Sequence, residues 1–572
     1  MNLRTLWIVI AAVLVLTVGA LTQSPRGTGG ELSRYVPEGA MLVLETENFS
    51  RLLGDWNSST EKTAWLASDN YGSFSRSKLF LRLEEARGEF AAAAGIPTDM
   101  ALVDSIAGNE SVLGVYDIGS LQFLYITQLS SAKAVENALW RTRAEFEPRN
   151  AGNHPYYVRA DTASQREVAF ATTDDHLFLA TSGDVLARSL RLLAGEQAGS
   201  VNAEDWYTDA SAARPDRGEL RMLMNLQRLA ATPHFRSYWI QRNVSEVRKH
   251  RAGVTDLFRS EDEFREERAF LPVQQAAENE QANTGARAAA NLLRYAPAEV
   301  GFYAARPLTG AQDAVSLIAS KLLTPTATRN QRIQTAPQVY VGSGTTGSEG
   351  ALETRIDQAP AVYTPGGLAE QELREAFESN PPLAVLQVEV GRKADEDVFV
   401  GSDAVLVLHG TQEWNEQQIR FALQNAILGL WTTSSLGAQW SEQSAATQTF
   451  HQLDGLAPLA VAVRGRELFL AHSPELLVDT LNANNQIAER SRLIHAAVFR
   501  RAREQDNYET LMGHLDYLQY GRYRSQQNRV PDLFSENIAS LGRALQRVES
   551  MSVRATQSDG AVHQTLVYRF RP

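Results

Sequence analysis

The chain has 572 residues, 44% hydrophobic and 21% charged, with a formal net charge of −12 and no cysteine. That composition is globular, and the lack of cysteine excludes disulfides, thiolate metal sites, iron–sulfur clusters, cysteine nucleophiles and lipoprotein anchoring. Net acidity without a dense Lys/Arg stripe argues against nucleic acid as a partner.

At the N-terminus, Arg4 precedes an apolar run from Leu6 to Leu21. The run is short for a membrane span of roughly 20 residues and long for a signal-peptide core of about 7–15. Residues 1–22 therefore read either as an uncleaved signal anchor or as a signal peptide cleaved near Val18-Gly19-Ala20. Residues 23–33 form a polar linker. Positive charge ahead of the run keeps the N-terminus cytoplasmic. The remainder then lies outside the inner membrane, as a single-pass protein with a periplasmic domain or as a secreted periplasmic one.

From Arg34-Tyr35-Val36-Pro37 onward the chain is written twice, copy one over 34–273 and copy two over 291–572, opening at Arg294-Tyr295-Ala296-Pro297. Each copy begins with an apolar strand, Ala40–Glu45 against Gly301–Ala305. A second strand, Phe123–Ile126 against Val405–Leu408, leads into a helix, 131–146 against 413–428. The two helices share the signature Glu136-Asn137-Ala138-Leu139 and Gln424-Asn425-Ala426-Ile427. The clearest match is His176-Leu177-Phe178-Leu179-Ala180-Thr181-Ser182 with Glu467-Leu468-Phe469-Leu470-Ala471-His472-Ser473. A strand precedes each, Val168–Ala171 and Leu459–Val463, joined by Asp- or Gly-bearing turns.

Ser182 and Ser473 stand where a helix N-cap belongs, and Pro474 suits the first helical position. Leu223-Met224-Asn225-Leu226 matches Met512-Gly513-His514-Leu515, and each copy closes on a polar-tipped hairpin. Residues 274–290 read as a linker or connecting helix. The spacing between copies widens from Tyr35/Tyr295 to Asn137/Asn425, which places a Gly-rich insertion in copy two near 337–367. Hairpins plus helices without βαβ alternation give α+β: two tandem diverged copies of one module, antiparallel sheets, segregated helices, and the N-terminal membrane segment.

Motifs of catalysis fail on context. Gly342-Ser343-Gly344-Thr345-Thr346-Gly347 has the dinucleotide-binding glycine pattern, but no helix pattern follows it. Ser59-Thr60-Glu61-Lys62 and Ser68-Asp69-Asn70 imitate penicillin-recognising serine enzymes, yet lie nine residues apart with no K-T-G downstream. His409 and His472 end neighbouring strands of copy two and are expected to face one another; both match threonines in copy one, so no symmetric metal pair results. The acidic tip Glu261-Asp262-Glu263 with Glu266-Glu267 lacks a calcium-loop order. Trp56, Trp65, Tyr71, Phe74 and Phe80, and again Phe235, Tyr238 and Trp239, cluster as core or as a binding surface. No catalytic, cofactor-binding or metal-ligating residue is assigned, and no cofactor is expected.

Tyr35-Val36-Pro37-Glu38-Gly39-Ala40, Asp55–Ser59, Trp65–Tyr71 and Phe74-Ser75-Arg76-Ser77 resemble a family of exported bacterial proteins catalogued only as a domain of unknown function. The resemblance implies export and no activity. The expectation is a non-catalytic, membrane-associated extracytoplasmic protein that binds or scaffolds a protein or other cell-envelope component. The alternatives are an envelope hydrolase, peptidoglycan-active or serine-type, and a two-lobed solute-binding protein.

Overall fold

The computed structural model describes residues 31–571 apart from several breaks, the longest being 233–246, 324–367, 392–401 and 505–547. The expected membrane segment, residues 1–22, lies outside the described residues. Among the described residues no helix is long and apolar enough to cross a membrane. The fold is α+β with antiparallel strand pairing throughout. The chain divides into two units. Unit 1 runs to Gln275 and regains the chain at Gly560; unit 2 takes over at Ala276 and includes Val548–Asp559.

Unit 1 opens with a 3-10 turn, Leu32–Tyr35, then β1 (Leu42–Thr46). Four helices follow: α1 (Phe49–Ser58), α2 (Thr60–Leu66), α3 (Lys78–Ala94) and α4 (Met100–Ile106). The next strands are β2 (Ser111–Asp117) and β3 (Gln122–Gln128), then the short α5 (Ala138–Arg141). A meander of β4 (Glu147–Ala151), β5 (His154–Ala160), β6 (Glu167–Thr172) and β7 (His176–Ala180) leads to α6 (Gly183–Leu193) and α7 (Asp205–Ala213). β8 (Leu220–Asn225), α8 (Leu226–Ala231), β9 (His250–Arg259) and β10 (Glu263–Pro272) complete this stretch. Pairing gives the order β4-β5-β6-β7-β3-β2-β1-β8-β9-β10.

Strict alternation sends successive side chains to opposite faces of this sheet. Leu124, Ile126 and Phe178 enter one core with α6 and the opening turn. Phe170 and Leu179 enter another with α3. Helices therefore cover both faces of the sheet. The register ties Ser182 and α6 to the end of β7: Ser182 Oγ accepts from the Val185 N–H at 3.4 Å.

Unit 2 begins with α9 (Glu280–Leu292), a 3-10 turn (Leu293–Tyr295) and β11 (Phe302–Pro307). It continues through α10 (Ala311–Ile318), α11 (Leu368–Ser379), β12 (Pro382–Gly391), β13 (Ser402–Gly410) and α12 (Glu416–Leu430). A meander of β14 (Gln439–Ala445), β15 (Gln448–Asp454), β16 (Leu459–Arg464) and β17 (Glu467–Ala471) precedes α13 (Pro474–Asn482). β18 (Arg492–Arg500) and β19 (Val548–Ser558) close it. Its order is β14-β15-β16-β17-β13-β12-β11-β18-β19. Ser473 caps α13 by accepting from the Leu476 N–H at 3.2 Å, with Pro474 at the first turn. The last strand, β20 (Ala561–Phe570), belongs to unit 1 and pairs with β10.

Several local expectations shift. The helix expected over 131–146 is reduced to α5 and a 3-10 turn at Arg143–Glu145, with 131–135 outside the described residues. Asn137 is the N-cap of α5, its Oδ1 accepting from the Trp140 N–H at 2.9 Å, whereas Asn425 sits inside α12. The shared Asn-Ala pair thus occupies different local structures, because Asn serves as a cap wherever the helix begins. Ile126 pairs with Phe178 and Val407 with Phe469, so β3 and β13 correspond one residue away from the sequence match. A slip of one residue exchanges the faces of a strand. In unit 2, β18 takes the position that β8 holds in unit 1, while 512–515 lie outside the described residues. Residues 274–290 run into α9, whose Ala288, Ala289, Ala290 and Leu292 are part of the unit 2 core.

Candidate functional site

In unit 1 the inward phase of four neighbouring strands carries charge. Val43 and Glu45 share a face of β1, Arg221 and Leu223 of β8, Val254 and Asp256 of β9, Glu267 and Ala269 of β10. Register lines up Val112, Glu45, Arg221, Asp256 and Glu267 side by side across β2, β1, β8, β9 and β10. Helix α7 and the segment 214–219 pack over this row.

The charges answer one another. Arg221 grips Asp256 with both arms, Nε to Oδ1 at 2.7 Å and Nη2 to Oδ2 at 2.8 Å. The same Nη2 donates to the carbonyls of Arg214 and Asp216 at 2.6 and 2.8 Å. Asp256 Oδ1 also accepts from the Gly218 N–H at 3.1 Å. A side chain on Gly218 would place Cβ 2.2 Å from the Leu257 carbonyl oxygen, so only glycine allows that approach. Arg214 lies 3.5 Å from Asp256 and pairs with Glu267. Glu45 accepts from Arg217 Nη1 at 2.8 Å and from the Tyr207 hydroxyl, which is 2.8 Å from Ser33 Oγ. Burial, and then the Glu45 charge, raise the Tyr207 pKa, so the phenol keeps its proton and acts as a donor.

Three arginines face three carboxylates, and both Arg221 and Asp256 are almost fully buried. Beside them opens a small cleft lined by the turn at Leu32–Ser33, the ends of β1 and β2 from Glu45 to Glu47 and Glu110 to Val112, and Arg217 with Gly218. On the opposite face of the sheet Ser111 Oγ and Thr127 Oγ1 are 2.6 Å apart, with Tyr125 Oη 3.4 Å from Ser111. Burial pushes the Tyr125 pKa up to about 12. These hydroxyls are satisfied by one another and by backbone, and the carboxylates by guanidinium groups. The arrangement holds shape, and at its rim Glu110 Oε1 accepts from the Leu32 N–H at 3.5 Å.

The motifs seen in the sequence fall elsewhere. Ser59 is the N-cap of α2: its Oγ accepts from the Lys62 N–H at 3.1 Å and donates to the Trp56 carbonyl at 2.9 Å. Lys62 Nζ turns instead to Asn57 Oδ1 at 2.6 Å, and burial lowers its pKa against the opposing pull of Asp104. Ser68-Asp69-Asn70 and Gly342–Gly347 lie outside the described residues. His409 and His472 do not face one another. They stand at opposite ends of β13, with His409 Nδ1 3.3 Å from Glu467 and His472 Nε2 2.7 Å from the Leu322 carbonyl.

At the hairpin tip, Glu263, Glu266 and Glu267 each have an arginine beside them, Arg265, Arg268 and Arg214. Among the described residues no group of three His, Asp or Glu is placed to hold a metal ion. Trp56, Trp65, Tyr71 and Phe80 pack into a small core of their own, while Phe74, Phe235, Tyr238 and Trp239 lie outside the described residues.

The charged row escaped sequence reasoning because a charge at a strand end reads as a solvent-facing residue. The signal was phase: Glu45, Arg221 and Asp256 each stand two residues from a fully apolar inward position, on strands otherwise apolar on that face.

No family model matches this sequence, and neither does any curated protein. One solved structure, "Structure of crystal form I of TP0453", aligns with 44% of this chain and 82% of that chain at 10% identity. Its TM-score is 0.24, and at that level the likeness carries no argument about fold or function.

Proposed function

We propose that this chain is a duplicated module working outside the cytoplasm, held at or released from the inner membrane by its first residues, and that it binds or scaffolds an envelope partner without catalysing a reaction. The observation that supports it is that nine strands of each unit follow the same order, while among the described residues the buried charged row stands in unit 1. Where unit 1 has Glu45, Arg221 and Asp256, unit 2 has Ala305, Ala496 and Arg554. Duplication supplies a scaffold twice, and specialisation of one copy is the expected route to a specific surface. In this reading the guanidinium–carboxylate pairs fix the loop 214–219 and the cleft beside it; none is poised to move a proton. Export rests on the apolar run at residues 6–21 and on the resemblance of the Tyr35–Ala40 opening to exported proteins.

Two measurements test it. A reporter fused after the last residue reads its compartment, and crosslinking of the native protein in envelope fractions reads its partner. Cytoplasmic placement, or the absence of any crosslinked product under mild detergent, overturns the proposal.

A further inference from the structure

The two strand orders begin at corresponding edges, β4 in unit 1 and β14 in unit 2. Tyr157 pairs with Phe170 and Phe170 with Leu179; His451 pairs with Val461 and Val461 with Leu470. Pro148, opposite Tyr157, and Glu442, opposite His451, therefore hold the same position. Both hairpins close on two residues, Gly152-Asn153 and Ala446-Thr447, so Ala151 with His154 and Ala445 with Gln448 form the bonded pair beside the turn. Bonding alternates along an antiparallel strand. That alternation turns the N–H and C=O of Trp440, Glu442 and Ser444 outward from β14, and the backbone of Pro148 outward from β4. Proline has no N–H to offer there, which closes a sheet edge to further strands. β14 has no proline. Among the described residues it pairs with β15 alone, and its outward amides make no hydrogen bond within the chain. Gln439 and residues 442–445 are exposed.

Trp440 and Glu442 share the α12 side of the sheet, opposite Leu453 and His451. On that side Glu416 lies against His451 and Arg420, and the Arg420 guanidinium is 5.9 Å from the centre of the Trp440 ring. Glu442 has no ion pair among the described residues. We infer that the β14 edge takes an extended segment of a partner protein as an added antiparallel strand, with lysine or arginine opposite Glu442 and an apolar residue two positions further on, opposite Trp440; this deepens the binding reading above and rests on it. Strand addition satisfies the outward amides, and the side chains facing each other across the new pair select the partner. A second copy of the chain lacks the complementary charge. β14 holds no lysine or arginine, so a two-fold pairing of β14 with itself sets Glu442 against Trp440, Ser444 or another Glu442.

The test uses the full chain and a labelled, end-capped peptide of the same length as β14, Thr-Thr-Gln-Lys-Thr-Phe-Thr, with glutamate in place of its lysine in a second peptide. Fluorescence anisotropy should show the lysine peptide binding with Kd below about 1 mM and at least about threefold tighter than the glutamate peptide. Glu442→Lys in the chain should reverse that order. Glu442→Pro, which copies Pro148, should abolish binding of both peptides with the circular dichroism unchanged. N-methylation of the lysine amide, which faces β14, should abolish binding, while N-methylation of the threonine after it should not. No binding up to about 1 mM leaves Glu442 as a guard of the edge and overturns the inference; so do equal affinities for the two peptides, or indifference to the position of the N-methyl group. A dimer in sedimentation that Glu442→Pro dissolves gives the edge to a second copy and overturns it as well. If the envelope crosslink survives in the Glu442→Pro chain, the edge is refuted while the binding reading stands. If no crosslink forms even in the unaltered chain, it is the binding reading that fails.

Discussion

Replacing Asp256 with alanine is the sharpest perturbation of unit 1. Asp256 is fully buried and takes two arms of Arg221 at 2.7 and 2.8 Å, together with the Gly218 N–H at 3.1 Å. Its removal leaves the Arg221 guanidinium in the interior with only the Arg214 and Asp216 carbonyls as acceptors. Breaking a buried pair from one side costs about 3–5 kcal/mol, or roughly two to three and a half powers of ten in the opening equilibrium. Exchange of the backbone amides of β8 and β9, followed by mass spectrometry, reads that change within unit 1 without assuming that the whole chain unfolds in one step. The double variant Arg221→Met with Asp256→Leu removes both charges and should recover most of the loss, giving a coupling of at least about 2 kcal/mol. A loss below about 1 kcal/mol for Asp256→Ala, or a double variant as unstable as the sum of the singles, would refute the claim that the row is a matched pair network.

Four further outcomes follow from local geometry. Gly218→Ala should destabilise unit 1 by more than about 2 kcal/mol through the clash with Leu257. Gly54→Ala in α1, where an added Cβ meets nothing within 4 Å, should stabilise it by about 0.5–1 kcal/mol; equal signs in denaturant titrations would contradict this. Ser473→Ala should cost about 1 kcal/mol, seen as faster exchange in the first turn of α13, and Ser473→Asp should restore the protection. Arg306 holds Asp313 by two bonds of 2.7 Å, and this hydrogen bonding depresses the Asp313 pKa. The contribution is complete above the unfolded value near ~3.9 and is lost as pH falls through the lower native value. Both groups are partly exposed, so it amounts to about 1 kcal/mol or less. Asp313→Asn should flatten that acid limb of the stability curve and leave the neutral region only slightly lower.

What was legible in the sequence was whatever depends on neighbours in the chain. The hairpins around Leu177–Ala180 and Leu468–Ala471, the caps at Ser182 and Ser473 and the apolar strands follow from period, turn chemistry and side-chain reach. Register was less legible: Phe123–Ile126 and Val405–Leu408 look alike at either of two alignments, and only pairing with Phe178 and Phe469 decides between them. The charged row was not legible as a site because its members are far apart in sequence. Glu45, Arg221 and Asp256 are brought side by side by a strand order in which β1 lies between β2 and β8. Ser59 and Lys62 show the converse. Their spacing suggests an activated nucleophile, but the same spacing is that of an N-cap serine and the third residue of its helix.

The comparison between units bears on why the row exists. Taking ions from water into a protein interior costs several kcal/mol each even after relaxation, and a matched pair recovers that cost only when its bonds are well formed. Unit 2 builds the same strand order with Ala305 and Ala496 in those places, so the fold itself does not call for the charges. Their geometry shows what they add. Arg221 and Asp256 reach past the sheet to the Arg214 and Asp216 carbonyls and the Gly218 N–H, and Glu45 reaches Arg217 and Tyr207. Every one of those partners belongs to α7 or to the segment that joins it to β8, and this segment walls the cleft. Alanines cannot hold a polar loop at that height above a sheet; bidentate charge pairs can. The row therefore exchanges some hydrophobic stabilisation for a fixed wall, and the variant Arg221→Met with Asp256→Leu separates the two effects. It should retain the stability of β8 and β9 while releasing 214–218 to faster exchange.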